Sequence, residues 1–226
     1  MKIISDKQLN TVDLNKECFI IKSQVSQTVC DEVVSFLSVL LSKYKPNEKF
    51  NGNNWLADIE HNKTFFHSFV FDSLKALNHQ PLYSCFQTLF DTYQKLGANI
   101  KGDFDALISD AVKVESKGIK PLVFLYPSGV GEFDWHQHPS EHQQFQLLIN
   151  LTDPNIDYTG GETTVRMDKG EEVFGSQFKK GDMFSFPYTN WHKVNHVFSG
   201  TSNLKSRISL LMPLQPQINL YYDDVT

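Results

Sequence analysis

The sequence has few cysteines, no long apolar run and no excess of basic residues, and each of these absences excludes a class of protein. The three cysteines, Cys18, Cys30 and Cys85, lie far apart, so they form neither a disulfide framework nor the thiolate spacing of a zinc site. No apolar run approaches the ~18 residues that span a bilayer. The formal net charge of -5 gives no electrostatic footprint for nucleic acid or an anionic membrane.

The first residues, MKIISDKQLN, contain only a short apolar stretch and lack the cleavage site of a secretory signal peptide. We therefore expect a cytoplasmic protein whose cysteines are buried free thiols. The length suits one sizeable core, because single β-barrels and sandwiches reach 226 residues. We predict a single domain, residues 1–226, since no linker composition divides the chain.

Helical periodicity dominates the first half of this domain. Apolar residues at spacings of three and four in SQTVCDEVVSFLSVLLSKY predict one helix. PLYSCFQTLFDTYQKLGANI predicts a second helix, which begins at Pro81 and ends near Gly97. DFDALISDAVKV predicts a third. Residues 1–115 are therefore predicted to be a mainly helical support.

The second half, residues 116–226, has the pattern of a β core. Short runs rich in β-branched and aromatic residues are IKPLVFLYP, FQLLINLT, ETTVRM, DMFSFP and RISLLMPL. Turn signals such as PSGVGE, DPNIDYTGG and KKGD separate them. Strands at such close spacing predict an all-β sandwich or barrel. The predicted fold class of the whole chain is α+β.

The segment EFDWHQHPSEHQQFQLLINL, residues 132–151, contains a candidate metal site. In a strand every second side chain lies on the same face, so Asp134, His136 and His138 project together. His192, at the end of another predicted strand, is the distant candidate. Three such ligands leave open positions on a redox metal for substrate and oxygen. His196 would face the same way as His192, as a bystander or a support for a ligand.

Five pieces of the C-terminal half occur in the order typical of a known family. They are HQH at 136–138, YTGGE at 158–162, KKGDMFSFP at 179–187, WHKV at 191–194 and RIS at 207–209. In this order the chain resembles the iron(II)/2-oxoglutarate-dependent dioxygenases, especially bacterial members similar to prolyl hydroxylases. The resemblance implies a double-stranded β-helix, which is a distorted, cupin-like jelly roll, and it implies Fe(II), 2-oxoglutarate as co-substrate and O2.

The resemblance also implies roles for individual residues. His136 matches the proximal metal ligand and His192 the distal one. Arg207 matches the residue that holds the far carboxylate of 2-oxoglutarate, a task for which a guanidinium offers a rigid fork. Ser209, on the same face of the last strand, and Tyr126, at the end of an earlier strand, would add hydroxyl donors.

The sequence departs from the family at the second residue of the ligand pair. The family has His-x-Asp or His-x-Glu there, whereas this chain has His138. We expect His138 to be the third ligand, because HQH aligns with the pair without a shift. Asp134 is the alternative carboxylate ligand, and Glu141 in the following segment is another. A fourth alternative leaves the position to halide or water, as in family members that lack the carboxylate.

The resemblance implies an oxygenase that hydroxylates a small molecule, such as an amino acid or a natural-product intermediate. Halogenation, desaturation, the identity of the substrate and the oligomeric state stay open on the sequence. A second hypothesis is a three-histidine cupin-type dioxygenase that does not use 2-oxoglutarate, and a third is a non-catalytic jelly-roll module that binds a metal or a ligand. Arg207 discriminates between the first two hypotheses. If turnover requires this residue, the 2-oxoglutarate-dependent oxygenase is favoured over the cupin-type dioxygenase. We expect neither nucleic acid nor a membrane as a partner, because the sequence indicates neither a basic groove nor an appended domain.

Overall fold

The structure, a computed structural model, describes residues 1–41, 56–58, 63–65, 78–98, 100, 102–106, 121–129, 131–138 and 144–212. Its helices are a 3-10 helix at Asp6–Thr11, α1 at Gln27–Leu41 and α2 at Gln80–Lys95. Its strands are β1 Lys2–Ile4, β2 Phe19–Ile21, β3 Leu56–Asp58, β4 Lys63–Phe65, β5 Leu122–Pro127, β6 Phe133–His136, β7 Phe145–Asn150, β8 Tyr158–Gly160, β9 Thr163–Arg166, β10 Glu172–Phe174, β11 Met183–Pro187, β12 His192–Val194, β13 Val197–Ser199 and β14 Ser206–Leu211.

These strands form two principal sheets. The major sheet has six strands in the order β1-β2-β11-β7-β14-β5, and the minor sheet has four in the order β10-β9-β12-β6. All neighbours are antiparallel except β1 and β2. The pairs β13-β8 and β3-β4 form two-stranded sheets. None of the helices in the part of the chain described above is long and apolar enough to cross a membrane.

The two long helices form where the periodicity predicts them. The α2 helix begins after His79, whose Nδ1 accepts the backbone N–H of Leu82, and Pro81 lies in the first turn, where a missing N–H costs nothing. Gly97 follows the helix with a φ of 81°, and its N–H donates to the carbonyl of Gln94. Of the predicted third helix, residues 104–106 are helical and the remainder lies outside the described residues.

The major sheet separates two apolar layers, because its side chains alternate between its faces. One face packs against the helices, and its members include Val123, Leu125, Leu147, Ile149, Ile208 and Leu210. The other face meets the minor sheet through two smaller clusters, in which Phe184 packs with Val165, and Phe124 packs with Val194. Two facing sheets with helices on one side give the α+β, jelly-roll architecture that the sequence predicted.

The N-terminal part is less helical than the sequence predicted, since β1 and β2 lie before residue 115 and extend the major sheet past β11. Phe19, Ile20 and Ile21 are all fully buried, so β2 shows no alternation of apolar and polar residues. A three-residue strand without alternation carries no period from which to recognise it.

Asp182, at the turn before β11, ties this N-terminal strand region to the core. Its carboxylate is 3% exposed and accepts hydrogen bonds from Lys22 Nζ at 2.8 Å, Ser23 N at 2.9 Å and Lys179 N at 3.0 Å. A buried carboxylate with a cation and two backbone donors is well compensated. The Gly-Asp turn of the sequence pattern therefore has a structural role.

Candidate metal and anion site

The minor sheet brings three histidines together. Strands β6 and β12 pair with His192 directly opposite His136, and His138 follows two residues after the end of β6. One potential ligand atom from each of the three lies within 4.8 Å of the other two. Within the described ranges this is the only cluster of three or more His, Cys, Asp or Glu residues with such spacing. Three imidazoles converging from two strands fit a metal ion with open positions.

Backbone carbonyls fix which ring nitrogens face the centre of this cluster. His136 Nδ1 lies 2.7 Å from the carbonyl oxygen of Asp134, and His192 Nδ1 lies 2.8 Å from that of Asn190. A carbonyl oxygen only accepts, so each Nδ1 carries the hydrogen and each Nε2 keeps its lone pair. This is the tautomer in which a histidine binds a metal through Nε2.

Burial favours the neutral form of His138 and His192. Desolvation, and secondarily the charge of His136, lower the pKa of His138 to about 3. The pKa of His192 is lowered by burial first and then by His136 and His138. Tyr188 stacks on His138 with ring centroids 4.6 Å apart and fixes the plane of its ring. Neutral, oriented imidazoles are the protonation state that metal binding requires.

Asp134, the first of the alternative carboxylate ligands, is not part of this cluster. Asp134 is exposed, and its Oδ1 accepts the backbone N–H of Trp135 at 2.8 Å. Strand β6 ends at His136, so the shared face that the sequence predicted for Asp134, His136 and His138 is interrupted. Glu141 lies outside the described residues. The geometry favours His138 as the third ligand, which stays a prediction.

Arg207 lies on the opposite sheet and is buried, with no counter-ion among the residues that the structure describes. It is 2% exposed on β14, opposite Tyr126 of β5. Its guanidinium donates to the carbonyl oxygen of Gly161, to Thr163 Oγ1 at 2.9 Å and to Ser209 Oγ at 3.3 Å. No carboxylate among the described residues lies within 4 Å of it. Because an unpaired buried cation is costly, this arrangement calls for an anionic ligand.

One cavity connects the histidines with Arg207. Its lining consists of Phe124, Tyr126, Phe133, His136, His138, Gln146, Leu148, Thr163, Phe186, His192, Val194, Arg207, Ser209 and Leu211. The Arg207 guanidinium lies 5.4 Å from the centre of the Tyr126 ring. Burial raises the pKa of Tyr126 to about 12, so its hydroxyl remains a donor. The predicted site residues Tyr126, His136, His138, His192, Arg207 and Ser209 therefore surround one cavity.

Two partners of Arg207 were not predicted from the sequence. The TGGE segment was interpreted only as a turn, yet Gly161 and Thr163 supply the acceptors that orient the guanidinium. Gly160 has a φ of 66°, and a Cβ there would lie 2.4 Å from the carbonyl oxygen of His196. The turn can approach β13 this closely only with glycine. Its two adjacent glycines were the signal of that close approach.

His196 does not belong to the metal cluster. Its Nδ1 lies 3.2 Å from Glu132 Oε2, and both side chains are about one-third exposed, at 35% and 37%. Its ring also packs on Phe198, with centroids 4.7 Å apart. Of the roles considered for His196, bystander is the one this geometry favours.

Comparison with known proteins establishes the fold. No protein-family model matches the chain, and no curated protein matches its sequence. A prolyl-4-hydroxylase from Pseudomonas putida is similar over 93% of this chain and 96% of its own, with 12% identity and a TM-score of 0.56. A prolyl hydroxylase from Trichoplax adhaerens, in complex with a hypoxia inducible factor peptide fragment, matches over 92% of this chain and 85% of its own, with 16% identity and a TM-score of 0.57.

A third similar structure is the non-heme alpha ketoglutarate dependent epimerase SnoN from nogalamycin biosynthesis. It covers 92% of this chain and 82% of its own, with 11% identity and a TM-score of 0.57. The resemblance to prolyl hydroxylases that the sequence motifs indicated is confirmed at the level of the fold. At these identities the likeness shows the shared jelly roll, and the chemistry has to be argued from the site.

Proposed function

We propose that this chain is a non-haem iron(II)/2-oxoglutarate-dependent oxygenase with a three-histidine metal site, and that it hydroxylates a small molecule. The observation that carries the proposal is Arg207, a buried cation that has no carboxylate partner in the described part of the chain. It lies on the far side of a cavity whose other wall holds three convergent imidazoles. A dicarboxylic acid that binds a metal at one end needs a cation at the other. A three-histidine dioxygenase that does not use 2-oxoglutarate leaves this charge unexplained.

Each part of the cavity has a task in this proposal. His136, His138 and His192 would hold Fe(II), which supplies the binding of oxygen and the redox chemistry when it is bound. Arg207 binds the far carboxylate of 2-oxoglutarate, and the hydroxyl of Tyr126 adds a donor beside it.

Ser209 holds the guanidinium in place through its hydroxyl oxygen, which lies 3.3 Å from Arg207 Nε. Apolar walls, among them Phe124, Phe186 and Val194, exclude water from the reacting centre. The chain therefore supplies position, neutral ligands and a dry cavity, and the metal and the co-substrate supply the reactivity.

The substrate we propose is a small molecule such as an amino acid or a natural-product intermediate. Structural neighbours include an epimerase from nogalamycin biosynthesis and a prolyl hydroxylase that binds a peptide fragment. The chain's net charge of -5 argues against nucleic acid as the substrate. Hydroxylation is the outcome that the site supports by default.

The test is an anaerobic titration of metal-free protein with Fe(II) and then 2-oxoglutarate, followed by admission of air. We expect one metal per chain, binding of 2-oxoglutarate only to the metal-loaded protein, and release of succinate and carbon dioxide. His136→Ala is the control and should lose the metal. Metal binding without 2-oxoglutarate binding would favour the cupin-type dioxygenase, and failure to bind metal would favour a non-catalytic module.

A further inference from the structure

Two tripeptides of the chain share one pattern, in which an aspartate or asparagine is followed by tryptophan and then histidine. They are DWH at residues 134–136 and NWH at residues 190–192. Each ends in one of the two histidines that lie directly opposite each other across β6 and β12. The proposed function gives a role to these histidines alone, so the residues that precede them are still without one.

The same hydrogen bond closes both tripeptides. His136 Nδ1 lies 2.7 Å from the carbonyl oxygen of Asp134, and His192 Nδ1 lies 2.8 Å from that of Asn190. In each case the histidine bonds the carbonyl two residues before it. A carbonyl only accepts, so the bond keeps the hydrogen on Nδ1 and leaves the lone pair on Nε2. Each ring is therefore oriented by its own segment of backbone.

Strand β6 reaches this geometry through a β-bulge. His136 pairs with His192 and Phe133 pairs with Val194, so three steps along β6 correspond to two steps along β12. Phe133 and His136 consequently both line the cavity, although residues three apart in a regular strand lie on opposite faces. Without the bulge, His136 would share a face with Asp134, as the sequence predicted.

The two residues of the bulge lie on the outer face of the minor sheet. Neither Asp134 nor Trp135 belongs to the described walls of the cavity. The Trp135 ring centre lies 4.3 Å from the Arg166 guanidinium and 4.9 Å from the Lys193 ammonium. Lys193 follows His192, which lines the cavity, so the side chain of Lys193 projects from the opposite face. These contacts show that Trp135 points outward, away from the metal cluster.

Asp134 holds the bulge with one group and the ligand with another. Its Oδ1 accepts the backbone N–H of Trp135 at 2.8 Å, and its carbonyl oxygen accepts from His136 Nδ1. A side chain that bonds the next backbone N–H restricts the local backbone and so fixes the direction of the carbonyl between them. Before β12 a backbone turn has this task, since the N–H of Asn190 donates to the carbonyl of Pro187 at 3.1 Å.

We propose that Asp134 is a positioning residue for the metal site. Its carboxylate holds the bulge, so that its carbonyl keeps the hydrogen of the His136 ring on Nδ1 and leaves Nε2 free to bind the metal. This inference rests on the proposed function, because it takes the histidines as metal ligands. The acid that the sequence offered as an alternative ligand thereby orients a ligand instead.

The first test determines the imidazole tautomers of metal-free protein by long-range proton–nitrogen NMR. In the parent we expect the Nδ1–H form at both His136 and His192. Asp134→Ala should leave His136 in exchange between its two tautomers, while His192 in the same sample keeps the Nδ1–H form. Asp134→Asn retains an Oδ1 acceptor and should preserve the parent's tautomer at His136. A parent-like His136 in D134A, or a His192 that changes with it, would overturn the inference.

The second test measures the affinity for Co(II), titrated under nitrogen and followed by the visible absorption of the bound metal. Loss of a group that supports a metal ligand weakens binding about 10- to 100-fold, so D134A should bind Co(II) at least tenfold more weakly than the parent. D134N should stay within threefold, because it keeps the acceptor. Asp168→Ala is the matched control, the same substitution at an exposed position in the turn after β9, and should also stay within threefold.

The asparagine variant separates positioning from direct ligation. A neutral amide is a weaker metal ligand than a carboxylate. Equal tenfold losses in D134N and D134A would therefore make Asp134 a ligand and overturn the inference. If the parent binds Co(II) and D134A matches it, only the inference fails. If the parent binds no Co(II), the proposed function fails, whichever tautomer His136 adopts.

Discussion

Replacing Arg207 by methionine separates the proposed binding role of this residue from its structural role. A guanidinium carries five N–H donors, and three contacts within the protein use one N–H each on Gly161, Thr163 and Ser209. Two donors therefore remain for a carboxylate. A hydrogen bond to a charged group contributes about 1.5–3 kcal/mol, so the pair contributes ~3–6 kcal/mol. We expect R207M to bind 2-oxoglutarate ~10²- to 10⁴-fold more weakly.

The same substitution should not harm the ligand-free fold. It removes a buried cation that has no counter-ion among the described residues, which raises the free energy of unfolding. This gain in stability offsets the loss of the three hydrogen bonds inside the protein. We expect the free energy of unfolding of ligand-free R207M to lie within about 1 kcal/mol of the parent's or above it. At a 2-oxoglutarate concentration 100 times the parent's Kd, the parent gains about 2.7 kcal/mol from the ligand and the variant gains at most about 0.4 kcal/mol.

The assay is isothermal titration of Fe(II)-loaded protein with 2-oxoglutarate under nitrogen, together with urea unfolding with and without the ligand. Arg166→Met is the matched control, because it makes the same change in charge on an exposed arginine that pairs with Glu172 and lies over Trp135. R166M should bind 2-oxoglutarate within threefold of the parent. The reasoning is refuted if R207M does so too.

Three other changes test the ligands, the turn and the anchor. His192→Ala should lose the metal, whereas His196→Ala, which removes a histidine outside the cluster, should retain one metal per chain by elemental analysis. Gly160→Ala should lower the free energy of unfolding by more than about 2 kcal/mol, because strain at positive φ and a Cβ clash add. Gly170→Ala is the control and should lower it by about 1 kcal/mol, because Gly170 has a φ of 76° and open space where the Cβ would lie. Asp182→Asn should cost about 2–3 kcal/mol in urea unfolding and leave metal binding unchanged, since it weakens three hydrogen bonds far from the histidines. Loss of metal in H196A, equal costs for the two glycines, or an unaltered urea midpoint in the aspartate variant would each contradict the geometry described above.

Local pattern was sufficient to predict the strands longer than three residues. The runs LVFLYP, FQLLIN and SRISLL became β5, β7 and β14, because β-branched and aromatic residues between turn signals have few other stable conformations. The α2 helix likewise follows from its period, its proline near the start and its glycine after the end. Short β2 was missed, since three fully buried residues show no period.

The candidate site was predicted less completely than the strands. His136, His138, His192 and Arg207 were proposed from the order of the motifs, and they do surround one cavity. The shared face of Asp134 with the histidines assumed a strand through residue 138, but β6 ends at His136. Strand ends depend on pairing with β12, which is not readable from the segment itself.

The sequence by itself determined the chemistry that is available: neutral nitrogen ligands near one strand, a distant histidine, and an arginine at the start of the last strand. Only the tertiary structure decided that these groups face one another, because the register of His192 against His136 and the packing of two sheets are set by contacts between residues far apart in the chain. The same packing buries Arg207. Burial distinguishes this arginine from an ordinary surface charge, because only there is the charge deprived of water.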